Sequence, residues 1–382
     1  MRSTRKTPNF ANFPLPRVGG GVGVGVLIIS MPTVLDSLNS ALHRAFADDP
    51  SVLLIGEDVL DPYGGAFKVT RGLSTAFPDR VLTTPVSEAG IVGVGAGMAL
   101  RGLRPVVEIM FGDFVALAAD QLINHVAKFR WMYNDQVRMP LVIRTPMGGR
   151  RGYGPTHSQS LEKLFLGVPG LHLLTPTALG DPGELLYQAI RYTEDPVLFI
   201  ENKLLYSMPL HAEDLAQDFT LYTSSMIPNE KGDSGQGIEV DSPTYSISLR
   251  GAPPAVLTLM AYGYMAELAL QAARRLAYEH EVFVDLVVPT QLSIFELEPL
   301  TSSLEHTGRL LTIEEGTFTL GWGAEVVARS YELLGSRLQA ARRLAAKDFP
   351  VPASSPLEAA VLPGVEDVIA AALTLIGHPV SG

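Results

Sequence analysis

From Pro32 onward, short apolar bursts of strand length alternate with stretches of helical periodicity. Segments 51–56, 80–83, 105–110, 140–144, 171–175 and 196–201 read as strands. Most are apolar at consecutive positions, as strands covered on both faces must be. Segments 33–47, 88–101, 114–133 and 181–192 between them predict helices. Strand–helix alternation of this kind predicts a parallel α/β sheet. Residues 207–252 break the pattern with clustered Pro, Gly, Ser, Asn and Asp, including the run Pro228-Asn-Glu-Lys-Gly-Asp-Ser-Gly-Gln-Gly237. They read as a linker or surface loop. A second alternating block follows, with strands at 255–260, 282–288 and 309–314 and helices at 264–279, 323–335 and 365–376. The pattern is that of two α/β domains with a polar connection.

A length of 382 residues accommodates two such domains at roughly 100–200 residues each. The net charge of -11 disfavours a phosphate backbone as partner. Only 18% of residues are charged, against about 25% in typical soluble domains, while 47% are hydrophobic. That leaves apolar surface to bury against a partner subunit. With no cysteine, disulfides, thiolate metal sites and a cysteine nucleophile are excluded together, which fits a reducing compartment. No apolar run approaches the roughly 20 residues of a bilayer span, so a membrane partner is not expected. Residues 1–30 are basic, with Arg2, Arg5, Lys6 and Arg17 and no acid before Asp36. Their apolar run at 22–29 imitates a signal peptide without its cleavage site, and their Arg-rich composition imitates a transit peptide. An overextended start, with Met31 as the true first residue, is the favoured reading. The expected location is then the cytoplasm of a bacterium, or a mitochondrial or plastid matrix if the segment is a transit peptide.

Several familiar motifs are missing. Gly90-Ile-Val-Gly-Val-Gly-Ala-Gly97 follows a strand and opens a helix, yet no register satisfies G-x-G-x-x-G. Its glycines suit close helix packing. Gly232-Asp-Ser-Gly-Gln236 misses the nucleophile elbow at its last position.

An ordered series of segments carries a specific resemblance. It begins with Ile55-Gly-Glu-Asp58, Tyr63-Gly-Gly-Ala-Phe-Lys-Val-Thr-Arg-Gly-Leu73 and Thr84-Pro-Val-Ser-Glu-Ala-Gly90. It continues with Leu103-Arg-Pro-Val-Val-Glu-Ile-Met110, Asp120-Gln-Leu-Ile-Asn124, Thr156-His-Ser-Gln159 and Glu201-Asn-Lys-Leu-Leu-Tyr206. Thr312-Ile-Glu-Glu-Gly316, Gly321-Trp-Gly-Ala-Glu325 and Lys347-Asp-Phe-Pro-Val-Pro352 close it. The series resembles the β subunit of the thiamine-diphosphate-dependent decarboxylase of 2-oxo acid dehydrogenase complexes, of pyruvate, branched-chain or acetoin type. The implied organisation is an extra segment at 1–30 and a transketolase-like pyrimidine-binding domain at 31–207, a parallel sheet with flanking helices. A linker with an insertion (208–252) and a transketolase C-terminal-like α/β domain (253–382) follow.

The resemblance implies roles for particular residues. Glu88 matches the acid held against the cofactor's pyrimidine nitrogen, where it favours the tautomer that deprotonates the thiazolium carbon. Read alone, it is a first-turn acid at a helix N-terminus with Ser87 as cap. Phe114 matches the aromatic that stacks on the pyrimidine, with Met110 nearby; read alone, it is a core residue. His157 matches the histidine lining the substrate and lipoyl channel; read alone, it is a loop histidine in a glycine-rich segment. Glu57 joins the acid network between paired sites, or serves as a strand-end acid. Leu141, Ala189 and Asp195 align with a potassium site, although the loop at 191–195 is one residue longer than usual. The G-D-G…N motif that binds diphosphate and Mg²⁺ is missing, since Gly112-Asp113 continues into Phe114. The diphosphate site is therefore expected on an α subunit, in an α₂β₂ heterotetramer with active sites at α–β interfaces. The implied activity is oxidative decarboxylation of a 2-oxo acid with acyl transfer to the lipoyl arm of an acyltransferase core. A non-catalytic assembly subunit docking that core is the alternative.

Overall fold

The computed structural model describes residues 31–210, 215–224, 240–293 and 297–377. Residues 1–30 and most of the expected insertion at 224–245 lie outside them.

The first half builds a six-stranded, all-parallel sheet from β1 (Val52–Gly56), β2 (Val81–Thr83), β3 (Arg104–Glu108), β4 (Val142–Met147), β5 (His172–Leu174) and β6 (Val197–Asn202), ordered β2-β1-β3-β4-β6-β5. Every residue of β1 and β4 is buried, because helices cover both faces. One of those helices, Val34–Asp48, starts at a capping box. Thr33 Oγ1 accepts from the Asp36 amide at 3.2 Å, and Asp36 Oδ2 accepts from the Thr33 amide at 3.0 Å. It packs against the helix Pro182–Tyr192, whose N-cap Asp181 accepts from Ser37 Oγ at 2.6 Å. The two helices approach so closely that a Cβ on Gly183 would lie 2.3 Å from the Ser37 carbonyl oxygen.

The second half builds a mixed sheet ordered β12-β11-β9-β10-β8-β7. Its parallel strands are β9 (Leu257–Ala261), β10 (Val284–Pro289), β11 (Arg309–Thr317) and β12 (Ala340–Ala346). Two antiparallel strands, β7 (Phe219–Ser224) and β8 (Thr244–Leu249), extend it beyond β10. The sheets are stitched together where β5 meets the end of β10. Thr175 N donates to Thr290 O at 2.8 Å and Leu292 N to Leu173 O at 2.9 Å. One hydrophobic core runs through the junction, from Leu198 and Ile200 to Met260, Val287 and Trp322.

Three expectations need correction. Part of the expected linker at 207–252 is strand: β8 alternates Tyr245 and Ile247 inward with serines outward, a two-residue period masked by its polar flanks. The helix expected at 114–133 is broken into a 3₁₀ segment (Gly112–Ala118), a π-helical segment (Gln121–Val126) and one short α-turn (Phe129–Met132). Gly112 seats this chain against β4, where a Cβ would fall 2.2 Å from Met147 Cγ, and such helical irregularities recur at functional sites. Finally, Ser355–Ile376 is long and apolar enough to cross a bilayer by length and composition. It forms two helices, Ser355–Val361 and Val365–Ile376, and the second packs Val368, Ile369, Ala372 and Leu373 into the core of the second sheet.

Gly183→Ala should lower the unfolding free energy by about 1–3 kcal/mol, because the obstacle is rigid backbone. Urea denaturation of the two proteins checks this.

Candidate active site

Glu57, Glu88, Met110, Phe114 and His157 all follow the carboxyl ends of the parallel strands, where open α/β sheets bind ligands. β1 ends at Gly56 and delivers Glu57; β3 ends at Glu108 and leads to Met110, Phe111 and Phe114. β4 leads into the glycine-rich loop at 148–157, and β6 ends at Asn202 before Lys203.

Glu88 opens the helix Glu88–Leu100 and is 4% exposed. Ser87 is the N-cap residue and Glu88 the acid of the first turn, but the Ser87 side chain makes no capping hydrogen bond. Glu57 is likewise buried. Burial pushes its carboxyl above the ordinary range and the like charge of Glu88 adds to this, while the Ser87 amide draws it partly back. Glu57 Oε1 has no hydrogen-bond partner among the described residues. Two buried carboxyl groups, one with an orphaned oxygen, fit a polar heterocycle that hydrogen-bonds through ring nitrogens.

The segment after β3 and the loop after β4 bring a second group together, a cluster of aromatic side chains. The His157 imidazole stands edge-on to Phe111 at 4.8 Å and to Phe114 at 5.2 Å between ring centroids. Phe67 and Tyr153 pack on Phe111 at 5.6 and 6.0 Å. Thr156 Oγ1 lies 3.0 Å from His157 Nδ1. Met110 is half-buried at the start of the same segment.

The loop carrying His157 is gripped from the second sheet. Glu315 Oε1 accepts from the Gly149 amide at 2.5 Å, and Glu358 accepts from the Arg150 and Gly152 amides at 2.6 and 3.3 Å. Under the loop lies a buried ion cluster. Arg144 forks onto Glu201 with two bonds of 2.8 Å and reaches Glu108 at 2.7 Å, while the Tyr206 hydroxyl donates to Glu201 at 2.6 Å. Burial pulls the Arg144 proton affinity down, but the two carboxylates outweigh it and hold the guanidinium charged. Phe111, Lys203, Arg144, Glu315 and Glu358 all escaped the sequence reading. Glu201, Lys203 and Tyr206 stood within a matched segment, and a charged residue directly after a buried strand was the available signal.

Leu141, Ala189 and Asp195 lie elsewhere. Leu141 and Asp195 precede β4 and β6, at the amino edge of the sheet, and Ala189 is in the last turns of Pro182–Tyr192. The Leu141 carbonyl accepts from Val197 N at 2.9 Å, and the Asp195 carbonyl accepts from Thr193 Oγ1 at 2.9 Å. The Asp195 carboxylate pairs with Arg130 at 2.7 Å. Arg104 donates to the Ile190 carbonyl at 2.8 Å and the Thr193 carbonyl at 2.6 Å. A potassium ion at this helix end would share it with the guanidinium groups of Arg104 and Arg130, which already hold the Ile190 and Thr193 carbonyls and the Asp195 carboxylate. Among the described residues no group of three His, Asp or Glu side chains is placed to hold a metal.

Residues 30–209 match the family model "Transketolase, pyrimidine binding domain", and residues 253–368 match "Transketolase, C-terminal domain". A solved split-gene transketolase, described as an inactive β4 tetramer, superposes with a TM-score of 0.65 at 20% identity, covering 90% of this chain and 98% of that one. Fold and site thus define a chain of the transketolase class. Its curated relatives include pyruvate dehydrogenase E1 component subunit beta-1, mitochondrial, of Oryza sativa (38% identity; 89% of this chain, 85% of the relative). Another is the acetoin:2,6-dichlorophenolindophenol oxidoreductase subunit beta of Bacillus subtilis (34%; 92% and 98%). A third is the 2-oxoisovalerate dehydrogenase subunit beta of Pseudomonas aeruginosa (34%; 90% and 94%). The chain belongs to this family of dehydrogenase β subunits.

Two outcomes follow from the charges. Burial pushes the Glu314 carboxyl up to about 7, reinforced by Glu162, although the Trp322 and Gly323 amides donate to it. The folded state therefore prefers the protonated acid, and its contribution is present below the ordinary value of 4.5 and lost as pH rises through about 7. Glu314→Gln should flatten the pH dependence of thermal stability across that window, as read by melting curves. Replacing potassium by choline at constant ionic strength should leave the melting temperature of the wild-type chain unchanged.

Proposed function

We propose that this chain is the β half of a thiamine-diphosphate-dependent 2-oxo acid dehydrogenase, in which it supplies the pyrimidine side of each active site. The reaction is oxidative decarboxylation of pyruvate or a branched-chain 2-oxo acid, with the acyl group passed to a lipoyl arm of the acyltransferase core. The observation that carries this reading is the buried pair Glu57–Glu88, together with a Phe111–Phe114–His157 cluster that also follows the carboxyl ends of the first sheet's strands. When bound, the cofactor supplies the electron sink for decarboxylation. Glu88 holds or lends a proton at the pyrimidine nitrogen. Glu57, its own ionisation disfavoured, keeps that proton local. Phe114 offers a ring for stacking, and His157 is assigned to the substrate side.

Burying two carboxyl groups side by side costs stability, which favours a catalytic role over a purely assembling one. The diphosphate and Mg²⁺ belong on an α subunit, in an α₂β₂ heterotetramer. The helix Glu88–Leu100 supports such a partner. Gly90, Gly93, Val94, Gly97 and Leu100 are exposed along one side, and the helix carries no charge beyond Glu88. Such a stripe admits another helix at close range. The assembly works in the bacterial cytoplasm, or in an organelle matrix where residues 1–30 serve as a transit peptide.

Glu88→Gln, assembled with the α subunit, should lose about 10²–10⁴ in decarboxylation rate, roughly 3–5 kcal/mol, with the heterotetramer intact by sedimentation. An assembled variant keeping more than about a third of the wild-type rate would remove Glu88 from this role.

A further inference from the structure

Lys203 follows β6, and its side chain has no solvent exposure at all. Its ammonium donates to the His157 carbonyl oxygen at 2.6 Å. The same nitrogen lies 5.4 Å from the Phe111 ring centroid and 5.8 Å from that of Tyr153, within cation–π range. Enclosing an ammonium costs several kcal/mol, and a methionine would fill the space without that cost. Here burial brings the lysine down to about 8; Asp113, Glu315 and Glu358 favour the charged form, and Arg151 opposes it. Those groups come from the segment after β3, the loop after β4 and the second sheet, so one charge sits where all three meet.

We propose that Lys203 is the positioning residue that orients the His157 imidazole, by holding the His157 carbonyl and the Phe111 ring on a single buried ammonium. The backbone of His157 is fixed from beneath, while its ring is flanked by Phe111 and Phe114, themselves 6.1 Å apart. Without the charge, the loop keeps its grip from Glu315 and Glu358 at residues 149–152 but loses its anchor at the histidine end. The inference rests on the reading of His157 as the substrate-side histidine of the assembled enzyme.

The test pairs a kinetic and a non-kinetic readout on Lys203→Met. Assembled with the α subunit, the variant should lose at least tenfold in kcat, with KM for the 2-oxo acid within twofold of wild type. On the full-length chain alone, chymotrypsin should cut after the exposed Tyr153, beyond the gripped amides, at least tenfold faster, as mass spectrometry reads it. A kcat within twofold of wild type overturns the proposal, and so does a loss of kcat with unchanged cleavage. If the variant does not fold, the wild-type chain serves. Cleavage after Tyr153, normalised to a site in the second domain, should accelerate as pH rises through 8. A flat profile from pH 7 to 9 overturns the proposal. An inactive wild-type assembly whose loop cleavage still responds to Lys203 would instead sink the functional reading and leave the anchor standing.

Discussion

One guanidinium, Arg144, sits between two carboxylates at the carboxyl ends of three adjacent strands. Glu108 ends β3, Arg144 lies within β4, and Glu201 lies near the end of β6. Removing one partner of such a buried cluster leaves an unpaired charge, a loss of about 3–5 kcal/mol. The bidentate fork onto Glu201 fixes angle as well as distance. The segment bearing Phe111 and Phe114, the loop bearing His157 and the residue Lys203 all emerge within a few positions of this cluster. Their mutual spacing is inherited from it. Burial pushes the Glu108 carboxyl upward despite its contact with Arg144, and the like charge of Glu201 adds to this.

How far the sequence could be read depends on the range of the interactions concerned. The strands of the first sheet were legible because a doubly covered strand needs consecutive apolar residues, as in Val-Leu-Leu-Ile-Gly of β1. β12 was not, because Ala-Ala-Arg-Arg-Leu-Ala-Ala has the composition of a helix and is held as strand only by pairing with β11. The same divide runs through the site. Glu88 and His157 stood in short segments with a recognisable order, and Phe114 stood four residues after the end of another. Glu315 and Glu358 act on amides 166 and 208 positions away, and no local pattern announces that distance.

The amino edge of the first sheet shows a different use of charge. The carbonyls at the end of Pro182–Tyr192 carry the negative end of the helix dipole, which attracts a cation. Arg104 provides one on a covalent tether from β3, and burial together with Arg191 weighs against its charge while Asp49 and Glu194 favour it. A tethered cation is present at unit occupancy whatever the salt. The extra residue in the loop at 191–195 therefore sits in a helix end whose electrostatics are already balanced.

The grip of Glu315 and Glu358 on the loop at 149–152 decides where the chain can tolerate change. Alignment between the two halves is set by carboxylate-to-amide bonds and by the β5–β10 junction, not by the length of chain that joins them. β7 and β8 pair in register from Phe219↔Leu249 to Ser224↔Thr244 at the outer edge of the second sheet, and the expected insertion falls in the sequence between these two strands. Two strands aligned by their own pairing leave the grip on the loop at 149–152 to the same two carboxylates, whatever the number of residues that separates them in the sequence.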